Sequence, residues 1–174
     1  MAPNITDRPI MADYGVPDDL DGVLPWSWAE QRLRDSIRYW VATASAEGRP
    51  HAMPVWGVWR DDPDAFWFSC GDSARKARNL RANPGIAVTG ESATEVVCVE
   101  GTADGVAAGP GLEAIVDAYV DKYADQAPGT PEEFAAFMRD TAFFRMTPQR
   151  AFGVIETPED FGPRATRWRW EAAD

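Results

Sequence analysis

Closely spaced turn signals constrain this chain more than any other feature. Between Tyr39 and Ala103, Glu47-Gly48, Arg60-Asp61-Asp62-Pro63-Asp64, Asn83-Pro84-Gly85 and Gly90-Glu91-Ser92 interrupt every apolar stretch. Runs this short cannot build a long helix or a parallel βαβ unit, which needs a long crossover. The runs 39–45, 51–59, 65–69, 86–89 and 95–103 read as strands, and 143–146, 152–156 and 166–170 as later ones. Glu47-Gly48 has the composition of a hairpin turn.

Helical patterns lie around and between these strands. Ser27-Trp28-Ala29-Glu30 has capping-box spacing, which predicts a helix from there to about Ile37. Leu112, Ile115, Val116, Tyr119, Val120 and Tyr123 recur at helical intervals and define one apolar face over 111–124. Thr130-Pro131-Glu132-Glu133 combines an N-cap, a first-turn proline and a capping-box glutamate, so a helix is expected over 131–140. Residues 1–25, rich in Pro, Asp and Gly, read as an arm, and 26–174 as one domain. The class is α+β: an antiparallel barrel with helices between and flanking its strands.

The run 51–59 is apolar on both faces. Met53, Val55 and Trp59 point one way; Ala52, Pro54, Trp56 and Val58 point the other. Both faces are expected to be covered, the outer one by a second subunit. Pro54 has no N–H to donate, so a local gap or bulge is expected beside it.

Charge singles out a different stretch. The formal net charge is -11, yet four of the 17 Lys and Arg residues fall in Ser73-Ala74-Arg75-Lys76-Ala77-Arg78-Asn79-Leu80-Arg81. This run follows the aromatic segment Phe66-Trp67-Phe68-Ser69 and opens on Ser73, a good N-cap. A strand feeding the positive end of a basic helix suits a phosphate or carboxylate. The overall acidity argues against nucleic acid or an anionic membrane as partner. No apolar run approaches the roughly 20 residues of a membrane span, and the first residues lack the apolar core of a secretory signal. Cytoplasmic location is therefore expected.

Other chemistry is sparse. Cys70 and Cys98 are too few for a disulfide or metal framework and read as reduced core residues. The single histidine, His51, cannot make a zinc site. It is the one candidate proton donor near neutral pH. No Ser/His/Asp nucleophile motif or Walker-type loop is present. Eight tryptophans suit either pocket walls or core.

Several motifs, in this order, resemble the pyridoxamine 5'-phosphate oxidase-like split β-barrel superfamily. They are Ala-Thr-Ala-Ser…Glu-Gly-Arg-Pro-His-Ala-Met-Pro-Val-Trp (42–56), Lys-Ala-Arg-Asn-Leu…Asn-Pro (76–84) and Val-Glu-Gly-Thr-Ala (99–103). The closing Ala-Thr-Arg-Trp-Arg-Trp (165–170) resembles the C-terminal motif of the superfamily's actinobacterial flavin/deazaflavin branch, whose members use coenzyme F420. The resemblance implies a homodimer with cofactor sites at the subunit interface. It assigns Lys76, Arg78 and Asn79 to the phosphate element, flanked by Ser69 and Ser73. It sets His51, Met53, Pro54, Val55 and Trp56 along the cofactor ring. Relatives carry a small polar residue where Pro54 stands, so backbone groups would replace that contact. Arg75, Arg81 and Arg169 are candidates for the glutamate tail of F420. The activity implied is hydride transfer from reduced F420 to a small organic acceptor. FMN on the same fold, or non-catalytic binding of F420 or haem, are the alternatives.

Overall fold

The computed structural model describes residues 2–61 and 63–171. Asp62, expected in the second turn, lies outside the described residues. Nine antiparallel strands form one sheet: β1 (Ile5–Asp7), β2 (Tyr39–Ala44), β3 (Pro50–Val55), β4 (Gly57–Asp61), β5 (Asp64–Cys70), β6 (Gly85–Gly90), β7 (Glu95–Val106), β8 (Ala142–Ile155) and β9 (Thr166–Arg169). The helices are α1 (Trp26–Asp35), α2 (Arg75–Ala82), α3 (Pro110–Tyr123), α4 (Pro131–Arg139) and α5 (Phe161–Arg164).

The ladder runs β1-β9-β8-β7-β6-β2-β3, and β4 joins through β5, which pairs with β8. Strand β8 therefore has three neighbours: its first half pairs with β5 and its second half with β9, while β7 follows it along most of its length. Sharing one strand between two sets of partners gives a split β-barrel. The sequence reads 143–146 and 152–156 as separate strands; the structure runs one strand through Pro148. The β7 register slips between Glu100 and Gly101, with Gly101 opposite Pro148, so the missing donor falls where the ladder is already irregular. A Cβ on Gly101 would lie 2.1 Å from the Thr147 carbonyl oxygen, and only glycine permits this approach.

The run 51–59 divides the other way. It is two strands, broken at Trp56, because β3 pairs with β2 while β4 pairs with β5. The break is held from α3. Tyr123 Oη accepts from the Gly57 N–H (2.9 Å) and donates to the Gly57 carbonyl (2.7 Å). No bulge forms at Pro54, which stays in register with Trp40. β2 is the only ladder partner of β3 among the described residues, so one side of β3 makes no ladder bonds and a missing donor there costs nothing.

Two apolar clusters fill the molecule. The barrel interior holds Tyr39, Val41, Phe66, Phe68, Val88, Val99, Phe144, Met146 and Trp168. The second cluster lies under α3 and α4 and holds Val58, Ile115, Val116, Tyr119, Tyr123, Phe134 and Phe143. Five tryptophans serve the first cluster: Trp28 packs against it, and Trp59, Trp168 and Trp170 meet Trp26 edge-on at 5.9, 5.5 and 4.9 Å. The α4 capping box forms as the sequence predicts, with Glu133 N–H donating to Thr130 Oγ1 (3.2 Å) and Thr130 N–H to Glu133 Oε2 (2.8 Å). The α1 box does not: α1 begins at Trp26 after Pro25 and has no side-chain cap. Within the expected arm, β1 adds a strand to the sheet through Asp7, which Arg167 (2.8 Å) and Arg169 (3.0 Å) grip. Their cations hold the Asp7 carboxyl below its ordinary range. No helix among the described residues is long and apolar enough to cross a membrane.

Candidate functional site

Strand β5 ends at Cys70, and the turn that follows closes by Ala74 N–H donating to the Gly71 carbonyl (2.9 Å). Helix α2 starts at Arg75, one residue later than an N-cap at Ser73 predicts. Its N-cap is Ala74, and no side chain caps it. The first-turn N–H groups are therefore left without a side-chain acceptor, an arrangement that favours an anion.

The four cations of α2 separate into two pairs. Arg78 Nη1 donates to the Ser73 carbonyl (3.2 Å), and Arg81 donates to the Asp72 carbonyl (2.9 Å) and pairs with its carboxylate. These two fasten the preceding turn. Arg75 and Lys76 make no side-chain hydrogen bond or ion pair with the described residues. Asn79 points inward. It is 5% exposed and donates to Thr43 Oγ1 on β2 (3.0 Å), with Ala77 and Leu80 buried beside it. The Asn79 amide thus anchors α2 to the sheet.

That anchor brings the first turn of α2 to the start of β3. Thr43 lies opposite His51 in the β2–β3 register. Partial desolvation, and then the Arg75 and Lys76 charges, push the His51 pKa down. Lys76 also acts on Cys70, whose thiol is nevertheless pushed up by burial and stays protonated. Cys98 is likewise raised, to about 11, and both cysteines are free and half-buried. His51, Cys70, Arg75 and Lys76 thus gather where β3, β5 and α2 converge, while Ser69 alternates with Cys70 and lies on the Trp67 side of β5, towards α3. Met53, 43% exposed, continues the His51 side of β3.

The remaining expected residues lie apart from this rim. Val55 is buried in the barrel core. Trp56 is committed to the second cluster: it stacks on Tyr123 (4.7 Å between centroids, 5° between planes), meets Phe134 edge-on and carries Arg38 over its ring. Pro54 lies on the outer face beside Trp40. Arg169 is on β9 at the other end of the ladder, held by Asp7 and Glu171. A cleft of about 440 Å³ between α1 and the β6–β7 turn shares none of the rim residues, and its Arg32 is already paired with Glu95 (2.7 Å).

Thr43 escapes the sequence reading of the region, whereas Cys70 is the reduced, core-packed residue expected. Thr43 had a usable signal, since it is a polar side chain at an inward position in the series Tyr39, Val41, Thr43. Among the described residues no group of His, Cys, Asp and Glu is suited to a metal.

Comparison with known proteins agrees with this architecture. A search of the curated proteins gives no match. Among solved structures, the chain is similar to the conserved hypothetical protein Rv2991 of Mycobacterium tuberculosis (TM-score 0.66, 21% identity, 81% of this chain and 91% of that one). It is similar to an F420 reductase (TM-score 0.55, 22% identity, 70% and 94%). It is also similar to HutZ, the heme storage protein of Vibrio cholerae (TM-score 0.58, 18% identity, 75% and 92%). Identities this low speak for the fold alone. The pyridoxamine 5'-phosphate oxidase family model matches residues 29–155, and the chain belongs to that family.

Proposed function

We propose that this protein is a cytoplasmic, homodimeric oxidoreductase that binds coenzyme F420 and passes a hydride from its reduced form to a small organic acceptor. The observation that carries the reading is the pair Arg75 and Lys76, without a partner among the described residues, at the uncapped start of α2 and next to an open strand edge. The donor set fits the cofactor: two free cations and first-turn N–H groups suit its phosphate. A solved F420 reductase shares this fold, so the fold can carry this cofactor.

The hydride chemistry belongs to the cofactor. The chain's own task is to bind and orient. Arg75 and Lys76 hold the anionic end, Asn79 and Thr43 keep α2 seated, and His51 and Met53 face the space along β3. Trp40, 50% exposed, and Pro54 give β2 and β3 an apolar outer face that a second copy would cover. With the site free, partial desolvation and the two cations disfavour protonation of His51.

Binding of F420 to the purified protein, followed by fluorescence quenching, tests the reading. Lys76→Ala is expected to weaken it by about 1.5–3 kcal/mol, the range of a lost charged hydrogen bond. Unchanged affinity at low salt overturns the assignment of Lys76. A flavin spectrum in the isolated protein would favour FMN, and a Soret band would favour haem. Screening acceptors for reoxidation of the reduced cofactor tests the enzymatic half.

A further inference from the structure

We propose that His51 is a proton-linked third member of the anion site: an anion seated at the first turn of α2 draws a proton onto the imidazole, so binding tightens as the pH falls. The inference rests on the reading of α2 as an anion site and specifies how that site is regulated.

The geometry is set by two contacts. His51 lies across from Thr43 in the ladder, and Thr43 Oγ1 receives the Asn79 amide. Arg75 and Lys76 precede Asn79 by four and three residues, so they rise from the same helix face one turn nearer the N-terminus. The rim therefore brings the imidazole, two unpaired cations and uncapped N–H groups to one place.

The charges around His51 can be named element by element. From α2 come Arg75 and Lys76, the charged groups that act on it. From β2 comes the uncharged Thr43. The nearby end of β5 brings the protonated thiol of Cys70. In the adjoining hairpin, Glu47 is turned onto the Ser45 hydroxyl (2.8 Å), and Arg49 is exposed. No carboxylate acts on the imidazole to offset the cations. With the site free, a third positive charge is disfavoured. A bound anion offsets the two cations, and protonated His51 adds an N–H donor. Linkage makes the effect reciprocal, so each unit by which the anion raises the His51 pKa is a tenfold gain in affinity across the titration.

The test uses sulfate, whose charge is constant over the range of about pH 5–8 in which histidine titrates. His51 is the only histidine, so untagged protein gives a single imidazole signal by NMR. Without sulfate its midpoint is expected below about 6.5. Saturating sulfate, at matched ionic strength, is expected to raise it by about one unit, with sulfate bound about tenfold more tightly at the acid end. Lys76→Ala is expected to raise the sulfate-free midpoint, and His51→Gln to abolish the pH dependence while retaining binding. Sulfate that shifts the α2 amide signals but leaves the His51 midpoint unmoved overturns the linkage and spares the anion site. A pH dependence that persists in His51→Gln also overturns the linkage. If neither sulfate nor F420 perturbs the α2 amides, the site and the linkage both fall.

Discussion

The chain has two lysines, and the structure treats them in opposite ways. Lys122 of α3 is half-buried and fully engaged: its ammonium donates to Tyr39 Oη (2.8 Å) and to the carbonyls of Arg34 (3.0 Å) and Gly57 (3.3 Å). It lies close to the rings of Tyr39 and Tyr123, and burial brings its pKa down to about 8. Lys76 stands at the rim of α2 with no partner among the described residues. A cation with every donor satisfied by its own fold is structural. A cation left unsatisfied beside uncapped N–H groups has its binding energy available for a ligand.

The contrast can be tested at several strengths. Lys122→Met should have the largest effect, a loss of about 3 kcal/mol in chemical denaturation, because it removes three charged hydrogen bonds that tie α3 to Arg34, Tyr39 and Gly57 beside the break between β3 and β4. A loss below about 1 kcal/mol would show that the fold does not depend on that junction. Lys76→Ala should do the reverse: cofactor affinity falls as given above, while stability changes by less than about 0.5 kcal/mol. A large stability loss would make Lys76 structural too and erase the comparison.

Asp64 supplies an intermediate case, a charge inside the fold that is only half satisfied. It is buried at the β4–β5 turn; Oδ2 accepts from Trp170 Nε1 (3.1 Å), and Oδ1 has no partner among the described residues. Burial raises its pKa to about 6. Between about pH 4 and 6 the folded protein keeps a proton that the unfolded chain has released, so stability falls as the pH rises through that window. Asp64→Asn should therefore stabilise the protein by about 1–2 kcal/mol at pH 7.5 and hardly at all at pH 4. An equal effect at both pH values would contradict that account. The smallest effect belongs to Arg81→Ala. Its exposed pair with Asp72 should contribute no more than about 0.5 kcal/mol, and Arg81→Ala should leave cofactor binding unchanged. A binding loss as large as that of Lys76→Ala would move Arg81 into the site.

Local signals predicted local structure well. The α4 capping box forms with both hydrogen bonds, the apolar face of α3 is the buried one, and Gly48 takes the positive φ (78°) that the hairpin turn needs. The failures came where distant contacts decide. Nothing near Trp56 in the sequence says that Tyr123 will bridge Gly57 and split the strand there. Ser73 has the right chemistry for a cap, but the turn closed by Gly71 and Ala74 starts the helix beyond it. At the candidate site, the charge anomaly of 75–81 was visible from composition. Which two cations remain free was not, because that depends on Asp72 and the Ser73 carbonyl folding back onto Arg81 and Arg78. Asn79 likewise reads as a polar member of a basic run until Thr43 is brought beneath it.

The pairing of β1 with β9 has a consequence for how the molecule is made. Ile5 sits opposite Arg169, so that edge of the sheet joins the first of the described strands to the last of them. A ribosome must deliver β9 before β1 has anywhere to dock, and contacts so distant in sequence form slowly. The ladder from β2 to β8 involves no residue of β1, and the Asp7 grip on Arg167 and Arg169 fastens β1 to β9 across a separation of about 160 residues.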